Sequence, residues 1–361
     1  MTPRVAIDAR AAAEVPAGRG RYVRQLLEAL GELPDSDDDR YSLYAREPWG
    51  DLDERFEWKI APQPDPLWHL QAGRRASREA DVFLSTNSYL TAWFTSVPTA
   101  VVVHDMVAFA TGASAQSRAA RIERATIRLA LRRASALVCV SAATRNDLVA
   151  RFPAAAAKAE VIPLAASRRF RQAHAGDVPA RHGLDRPYVL AVGTLEPRKN
   201  LERLLAAWTA LPERLRHGHA LALVGPRGWD DRGILSAAQQ AGAHLLGQVS
   251  DADLAALYAG CACFAYPSLY EGFGLPVLEA MSAGAPVVTS RVSSLPEVAG
   301  EAALLVDPRD VEAIAAALVT VLDDPGVAAD LSARGRARAA EFSWERTARE
   351  TRQLLGAIAR R

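Results

Sequence analysis

Cysteine is scarce, with three residues among 361: Cys139, Cys261 and Cys263. An odd count in or beside apolar runs argues against a disulfide framework. Cys261-Ala-Cys263 has neither metal-ligand spacing nor a second half-site. Reduced, buried core thiols are the expectation. Long apolar runs are also missing, since none reaches the roughly 20 residues that span a bilayer. Met1–Asp8 holds no signal-peptide apolar region and moves straight into a polar-ended strand, so the expected compartment is the cytoplasm. Charge of one sign is lacking as well. With 43 Lys and Arg against 42 Asp and Glu, nothing pulls the whole molecule toward nucleic acid, and no nucleic-acid partner is expected. Short-period repeats and low-complexity tails are absent too.

What is present is alternation. Short β-branched runs, at Arg4–Asp8, Tyr41–Ala45, Val82–Ser85, Ala100–Val103, Ala136–Val140, Ala159–Pro163, Tyr188–Val192, Ala220–Val224, His244–Leu246, Cys261–Tyr266, Pro286–Ser290 and Ala303–Val306, read as strands. Stretches of helical period separate them, among them Gly20–Leu30, Ala143–Arg151, Asn200–Ala210, Asp251–Ala259 and Pro276–Ala283. Such alternation predicts parallel, doubly wound sheets of the α/β class. Twelve strands are too many for one comfortable sheet, and the polar, strand-poor stretch Arg168–Arg186 divides them. The expected domains are 1–170 and 187–342, both Rossmann-like, with 343–361 as a last helix. Ligands of such sheets bind outside the carboxyl ends of the strands, so the polar loops there carry the interest.

The sharpest of these loops is Pro267-Ser-Leu-Tyr-Glu271-Gly-Phe-Gly-Leu-Pro-Val-Leu-Glu279. Pro276 suits a first helical residue, and Gly272 and Gly274 precede it. Glycines let backbone N–H groups approach a ligand, and a helix N-terminus attracts anions. Glu279, on an otherwise apolar helix, needs hydrogen-bond donors, and two ribose hydroxyls would supply them. Two glutamates eight residues apart are, by themselves, more simply an exposed loop Glu and an N-terminal helix carboxylate. The run Tyr270–Val288 as a whole, however, closely resembles the retaining glycosyltransferases of family 4, which have the GT-B fold: two Rossmann-like domains with parallel sheets facing across a cleft. The resemblance implies that Glu271 contacts the donor sugar, that Glu279 binds the nucleotide ribose, and that Gly272, Phe273, Gly274 and Leu275 line the sugar and diphosphate.

Three further loops fit that resemblance. In Ala191-Val-Gly-Thr194-Leu-Glu-Pro-Arg198-Lys199-Asn200, two cations open a helix, which suits a diphosphate as well as it suits a solvated turn. Lys199 matches the family lysine. Thr194 stands where the family often has an arginine, and Arg198 is assigned that role instead. Val101-Val-Val-His104-Asp105 places a histidine at a strand end, as the family does near the donor sugar; a structural loop histidine is the plainer alternative. Ala17-Gly18-Arg-Gly20-Arg21 is a weak glycine signature on its own. By resemblance, Gly18 and Gly20 bring backbone amides to the reaction centre, and Arg19 and Arg21 face the acceptor. Gln248 and Val249 stand near the position of the base.

The resemblance implies a hexosyltransferase that moves a sugar, with retention, from a nucleoside-diphosphate sugar to a glycan, glycolipid or lipid-linked hydroxyl in bacterial polysaccharide assembly. The Glu196-Pro-Arg-Lys-Asn200 wording is similar to mannosyltransferases, which leans the donor toward GDP-mannose. A UDP- or dTDP-sugar on another acceptor, and a non-catalytic nucleotide-sugar-binding protein, remain as alternatives. No cofactor or metal is expected, the nucleotide sugar being a substrate. Arg121, Arg124, Arg128 and Arg132 share a helical face between Ser117 and Ala134. A solvated face is the favoured reading, with peripheral contact to anionic lipid at the inner face of the membrane as the other.

Overall fold

The computed structural model describes residues 2–15, 18–34, 36–109 and 118–360. Ala17 of the glycine loop and Ser117 at the head of the arginine-striped stretch lie outside the described residues. The chain forms two compact units, one of 1–164 with 343–361 and one of 165–342.

The first unit holds a seven-stranded parallel sheet: β1 (Arg4–Asp8), β2 (Arg40–Ala45), β3 (Phe56–Ile60), β4 (Val82–Ser85), β5 (Thr99–Val103), β6 (Ala136–Cys139) and β7 (Ala159–Val161), in the order β3-β2-β1-β4-β5-β6-β7. Strands buried on both faces are apolar throughout, or nearly so, as in β4 and β5, where every residue is buried. The strand β3 was not anticipated. Phe-Glu-Trp-Lys-Ile alternates apolar and polar residues because it lies at the sheet edge, and only Phe56 is fully buried. Val101, Val103, Ile127, Leu131 and Leu137 share one core. Trp68, Phe83 and Ala72 share another.

Gly20 is fixed by packing. A Cβ there would lie 1.7 Å from the Val15 carbonyl oxygen and 2.6 Å from that of Ala11. The helices Arg10–Glu14 and Arg19–Gly31 therefore meet only because this residue has no side chain. The last helix, Trp344–Ala359, packs in this unit: Thr347 donates to the Pro163 carbonyl at 2.7 Å, and Arg352 Nε lies 2.6 Å from Asp39 Oδ2.

The second unit holds a six-stranded parallel sheet: β8 (Tyr188–Val192), β9 (Ala220–Val224), β10 (His244–Gly247), β11 (Cys263–Tyr266), β12 (Val287–Ser290) and β13 (Leu304–Val306), in the order β10-β9-β8-β11-β12-β13. Leu204, Leu205, Trp208, Leu223, Val288 and Leu318 are among its core residues. The stretch 168–186, read from sequence as a connection, lies inside this unit. It contains two single-turn helices, and its Phe170 is buried against the Tyr258 ring at a centroid distance of 5.7 Å. The polar composition of that stretch hid one apolar anchor. All three cysteines are free and buried, and burial pushes the Cys139 and Cys263 thiols up to about 12.

Candidate active site

In the second unit the site begins where β8 ends. Pro197–Lys199 form one 3₁₀ turn, and Asn200 follows in the left-handed region at φ 59°. Asparagine tolerates that conformation, and its side chain repays it: Nδ2 donates to the carbonyls of Pro267 at 2.9 Å and Pro308 at 2.6 Å. The Arg198 carbonyl accepts from Leu269 N at 2.9 Å and Ser268 Oγ at 3.1 Å. The turn after β8 is thus bolted to the loop after β11, and the cationic side chains meet Glu271.

Glu271 Oε1 accepts from Lys199 Nζ at 2.6 Å, Ser268 Oγ at 2.7 Å and Tyr266 OH at 2.8 Å. Arg198 Nη1 lies 2.8 Å from Oε2. The Tyr266 hydroxyl also accepts from Lys199 Nζ at 2.5 Å. Arg198 Nη1 donates to the Tyr270 carbonyl at 2.8 Å, and Nη2 to Glu196 at 2.6 Å. Side-chain exposure is 10% for Lys199 and 11% for Glu271, so the pair sits in a low-dielectric setting.

Burial by itself would raise the Glu271 pKa; the charges of Arg198 and then Lys199 outweigh it and hold the carboxyl at about 2. Burial pulls the Lys199 amine down, and Glu271 only partly restores it. Burial also opposes the Arg198 charge, but Glu271 and Glu196 overcome that and push its pKa up. Because the folded-state pKa of Glu271 is depressed from 4.5, the stability it contributes is complete above pH 4.5 and lost as pH falls toward about 2. Thermal unfolding across that window should fall more steeply for the native chain than for Glu271→Gln. Parallel slopes would show that the carboxylate is not held by these cations.

The helix Leu275–Ala283 starts one residue earlier than its proline suggests, with Pro276 in its first turn and Gly274 as N-cap at φ 109°. The backbone at φ 109° calls for glycine, and a Cβ there would also press on Leu295 Cδ2 at 2.8 Å. Ser294 Oγ fixes the preceding loop by donating to the carbonyls of Glu271 at 3.0 Å and Phe273 at 2.7 Å. Ser293 Oγ accepts from the Glu271 N–H at 3.0 Å. Gly272 and Phe273 are buried and Leu275 is partly exposed. Glu279 is 1% exposed and accepts from Tyr258 OH at 3.3 Å. Thr194 follows β8 and Val249 precedes the N-cap Ser250; both are partly buried. Sequence reading missed Tyr266, Ser268, Ser293 and Ser294. Only Ser268, three residues before Glu271, left a local signal.

The remaining predicted residues lie in the first unit. His104 follows β5, and its Nε2 donates to the Thr86 carbonyl at 2.7 Å. A carbonyl only accepts, so the ring proton is on Nε2 and Nδ1 carries the lone pair. Burial, then the Arg19 charge, lower its pKa to about 4, so the ring is neutral at pH 7. Its edge-on neighbour is Tyr22, at 5.1 Å between centroids. Gly18 caps the helix Arg19–Gly31 at φ 53°, and a Cβ there would meet nothing within 4 Å. Of the arginine stripe, Arg121, Arg128 and Arg132 are at least partly exposed, while Arg124 donates to the Ala108 carbonyl at 2.8 Å. Among the described residues, no helix is long and apolar enough to cross a membrane.

A model of glycosyl transferases group 1 matches residues 178–338, and a model of Glycosyltransferase Family 4 matches residues 16–167. The chain is 48% identical over 168 residues to O-antigen chain mannosyltransferase B of Escherichia coli, covering 45% of this chain and 44% of that protein. It is 36% identical over 223 residues to the MMP alpha-(1->4)-mannosyltransferase of Mycolicibacterium hassiacum, covering 60% of this chain and 52% of that one. The chain thus spans about half the length of these curated relatives. Among solved structures, sucrose-phosphate synthase from Thermosynechococcus elongatus superposes with a TM-score of 0.78 over 97% of this chain and 98% of that one, at 24% identity. Anabaena HepE in complex with UDP-glucose gives 0.77 over 98% and 100%, at 17% identity. Two parallel Rossmann-like units, each matched by its own glycosyltransferase model, make the chain a member of the GT-B glycosyltransferase family.

Proposed function

We propose that this chain transfers a hexosyl unit, with retention, from a nucleoside-diphosphate sugar to a hydroxyl of a glycan, glycolipid or lipid-linked acceptor. The observation that carries the reading is the Arg198–Glu271–Lys199 cluster before the N-terminus of the helix Leu275–Ala283. A departing diphosphate develops negative charge, and two cations held before a helix N-terminus stabilise it, in competition with their contacts to Glu271. Glu271 holds a donor-sugar hydroxyl, Glu279 the ribose, and the loop Gly272–Leu275 lies along the diphosphate; Thr194 and Val249 line the nucleotide. His104, neutral at pH 7, serves as a hydrogen-bonding group near the sugar rather than as an acid, and Gly18 presents backbone to the reaction centre. In this scheme a front-face displacement lets the leaving phosphate take the acceptor proton, and no metal takes part.

The mannosyltransferase relatives favour a GDP-sugar donor, GDP-mannose first. The UDP-glucose complex of Anabaena HepE supports a UDP-sugar as the second reading. Thermal-shift measurements with GDP, UDP and dTDP separate them, because a ligand at 100 times its Kd stabilises the folded state by about 2.7 kcal/mol. We expect GDP to raise the unfolding temperature most. A larger shift with UDP overturns the GDP assignment, and no shift with any of the three overturns nucleotide binding.

A further inference from the structure

Tyr266 ends β11, and its hydroxyl sits between Lys199 and Glu271. Packing fixes the residue. It is 3% exposed, its ring stacks on Phe264 at a centroid distance of 5.7 Å, and its carbonyl accepts from Thr289 Oγ1 at 2.9 Å. The direction of its hydrogen bonds is fixed as well. An ammonium only donates, so the hydroxyl oxygen accepts from Lys199 Nζ at 2.5 Å, and its one proton goes to Glu271 Oε1 at 2.8 Å. Burial, and then the Glu271 charge, push the Tyr266 hydroxyl well up, so the proton stays on it.

The partners of the Glu271 carboxyl divide by charge. Lys199 and Arg198 come from the turn after β8, and Arg198 also pairs with Glu196 at 2.6 Å. Tyr266 and Ser268 come from β11 and the loop after it, and both are neutral. The division also runs across the two oxygens: both hydroxyls bond Oε1, whereas Arg198 faces Oε2. A diphosphate carries the same sign of charge as Glu271 and so competes for its cations. A buried carboxylate that loses cations needs other donors to stay charged and oriented. Of the two hydroxyls, Tyr266 is the dedicated one. Ser268 Oγ has one proton and three acceptors within reach: Glu271 at 2.7 Å, the Arg198 carbonyl at 3.1 Å and the Tyr270 carbonyl at 3.3 Å.

We propose that Tyr266 is a positioning residue of the donor complex: when a diphosphate draws Lys199 and Arg198 away, its hydroxyl, helped by Ser268, keeps Oε1 of Glu271 in place and leaves Oε2 for a hydroxyl of the donor sugar. The inference rests on the glycosyltransferase reading above.

The test uses Tyr266→Phe, which keeps the ring and removes only the hydroxyl. Nucleoside-diphosphate release is followed from GDP-mannose, UDP-glucose and dTDP-glucose, with methyl mannoside, mannobiose and methyl glucoside as acceptors. We expect kcat to fall by roughly 10- to 100-fold, the worth of one hydrogen bond to a charged group. GDP affinity, measured by calorimetric titration, should move less than about threefold, because both cations remain. In the Glu271→Ala background the same substitution should add less than about twofold, since the hydroxyl acts through that carboxylate. The pH profile separates positioning from packing. Without the Tyr266 donor the carboxylate is easier to protonate, so the acid limb of kcat should move up by about one pH unit. The limb of kcat/KM reports the free enzyme, where the cations still hold Glu271 at about 2, and should move less. Ser268→Ala should shift the kcat limb in the same direction by less, and gives a second reading if Tyr266→Phe folds poorly. An unchanged kcat, an unmoved acid limb, a full further loss in the Glu271→Ala background, or GDP binding weakened more than about tenfold overturns the proposal alone. Release by the native chain from none of the donors with any acceptor overturns the transferase reading and this proposal with it.

Discussion

Glu271→Ala should lower turnover by roughly 10²- to 10³-fold, the usual cost of losing one preorganised polar group at a reaction centre. Diphosphate affinity should move the other way. Glu271 engages Lys199 and Arg198 at 2.6 and 2.8 Å. Those are the cations proposed to hold the phosphates, so the carboxylate and an incoming diphosphate compete for them. Removing the carboxylate frees both cations, and calorimetric titration with GDP should show binding that is equal or tighter. The fold should persist, because Arg198 keeps Glu196 at 2.6 Å and Lys199 keeps the Tyr266 hydroxyl at 2.5 Å. Normal turnover by this variant would sink the site assignment. GDP binding weakened by more than about tenfold, or 1.4 kcal/mol, would make Glu271 a scaffold for the cations rather than their competitor.

Lys199→Ala should cost a comparable loss of roughly 10²- to 10³-fold in kcat/KM. Here diphosphate binding should weaken as well, so the two variants part on affinity while agreeing on rate. Lys199→Arg should not rescue it. The ammonium sits between the Tyr266 hydroxyl and Glu271 Oε1, with Nζ 4.9 Å from the Tyr266 ring centroid. A planar guanidinium beside Arg198 needs a wider, flatter seat than this compact point charge occupies. Steady-state kinetics of both variants, with GDP titration alongside, checks the claim. Full activity in Lys199→Arg would show that any cation suffices.

Much of this fold was readable along the chain because buried parallel strands declare themselves as continuous apolar runs, as Val101-Val-Val103 does. β3 escaped because an edge strand is buried on one side only, so Phe56-Glu-Trp-Lys-Ile60 alternates apolar and polar residues and offers no continuous apolar run. At the site, Glu271 and Lys199 stood out through the words around them. Their mutual contact did not, since 72 residues separate them and only the pairing of β8 with β11 brings their loops together. Tyr266 was invisible for a related reason. It reads as one more apolar residue at the end of a strand, and its hydroxyl acquires meaning only when the neighbouring loop delivers a lysine. Gly20 adds a packing constraint that the chain alone does not show, since a Cβ there would meet the Val15 carbonyl.

The chain path carries a consequence for biosynthesis. The second unit is one unbroken segment, 165–342, inserted into the first, whose own residues run 1–164 and resume at 343. On the ribosome, the inserted unit has all its sequence before the enclosing one does, and domains tend to fold as units during synthesis. The enclosing unit must wait for Trp344–Ala359, which brings the buried Leu354, Leu355 and Ile358. Until then the apolar surface that this helix covers stays open. Residues 1–164, made before the second unit, are therefore completed after it, and the nascent chain carries a finished second unit on an unfinished first.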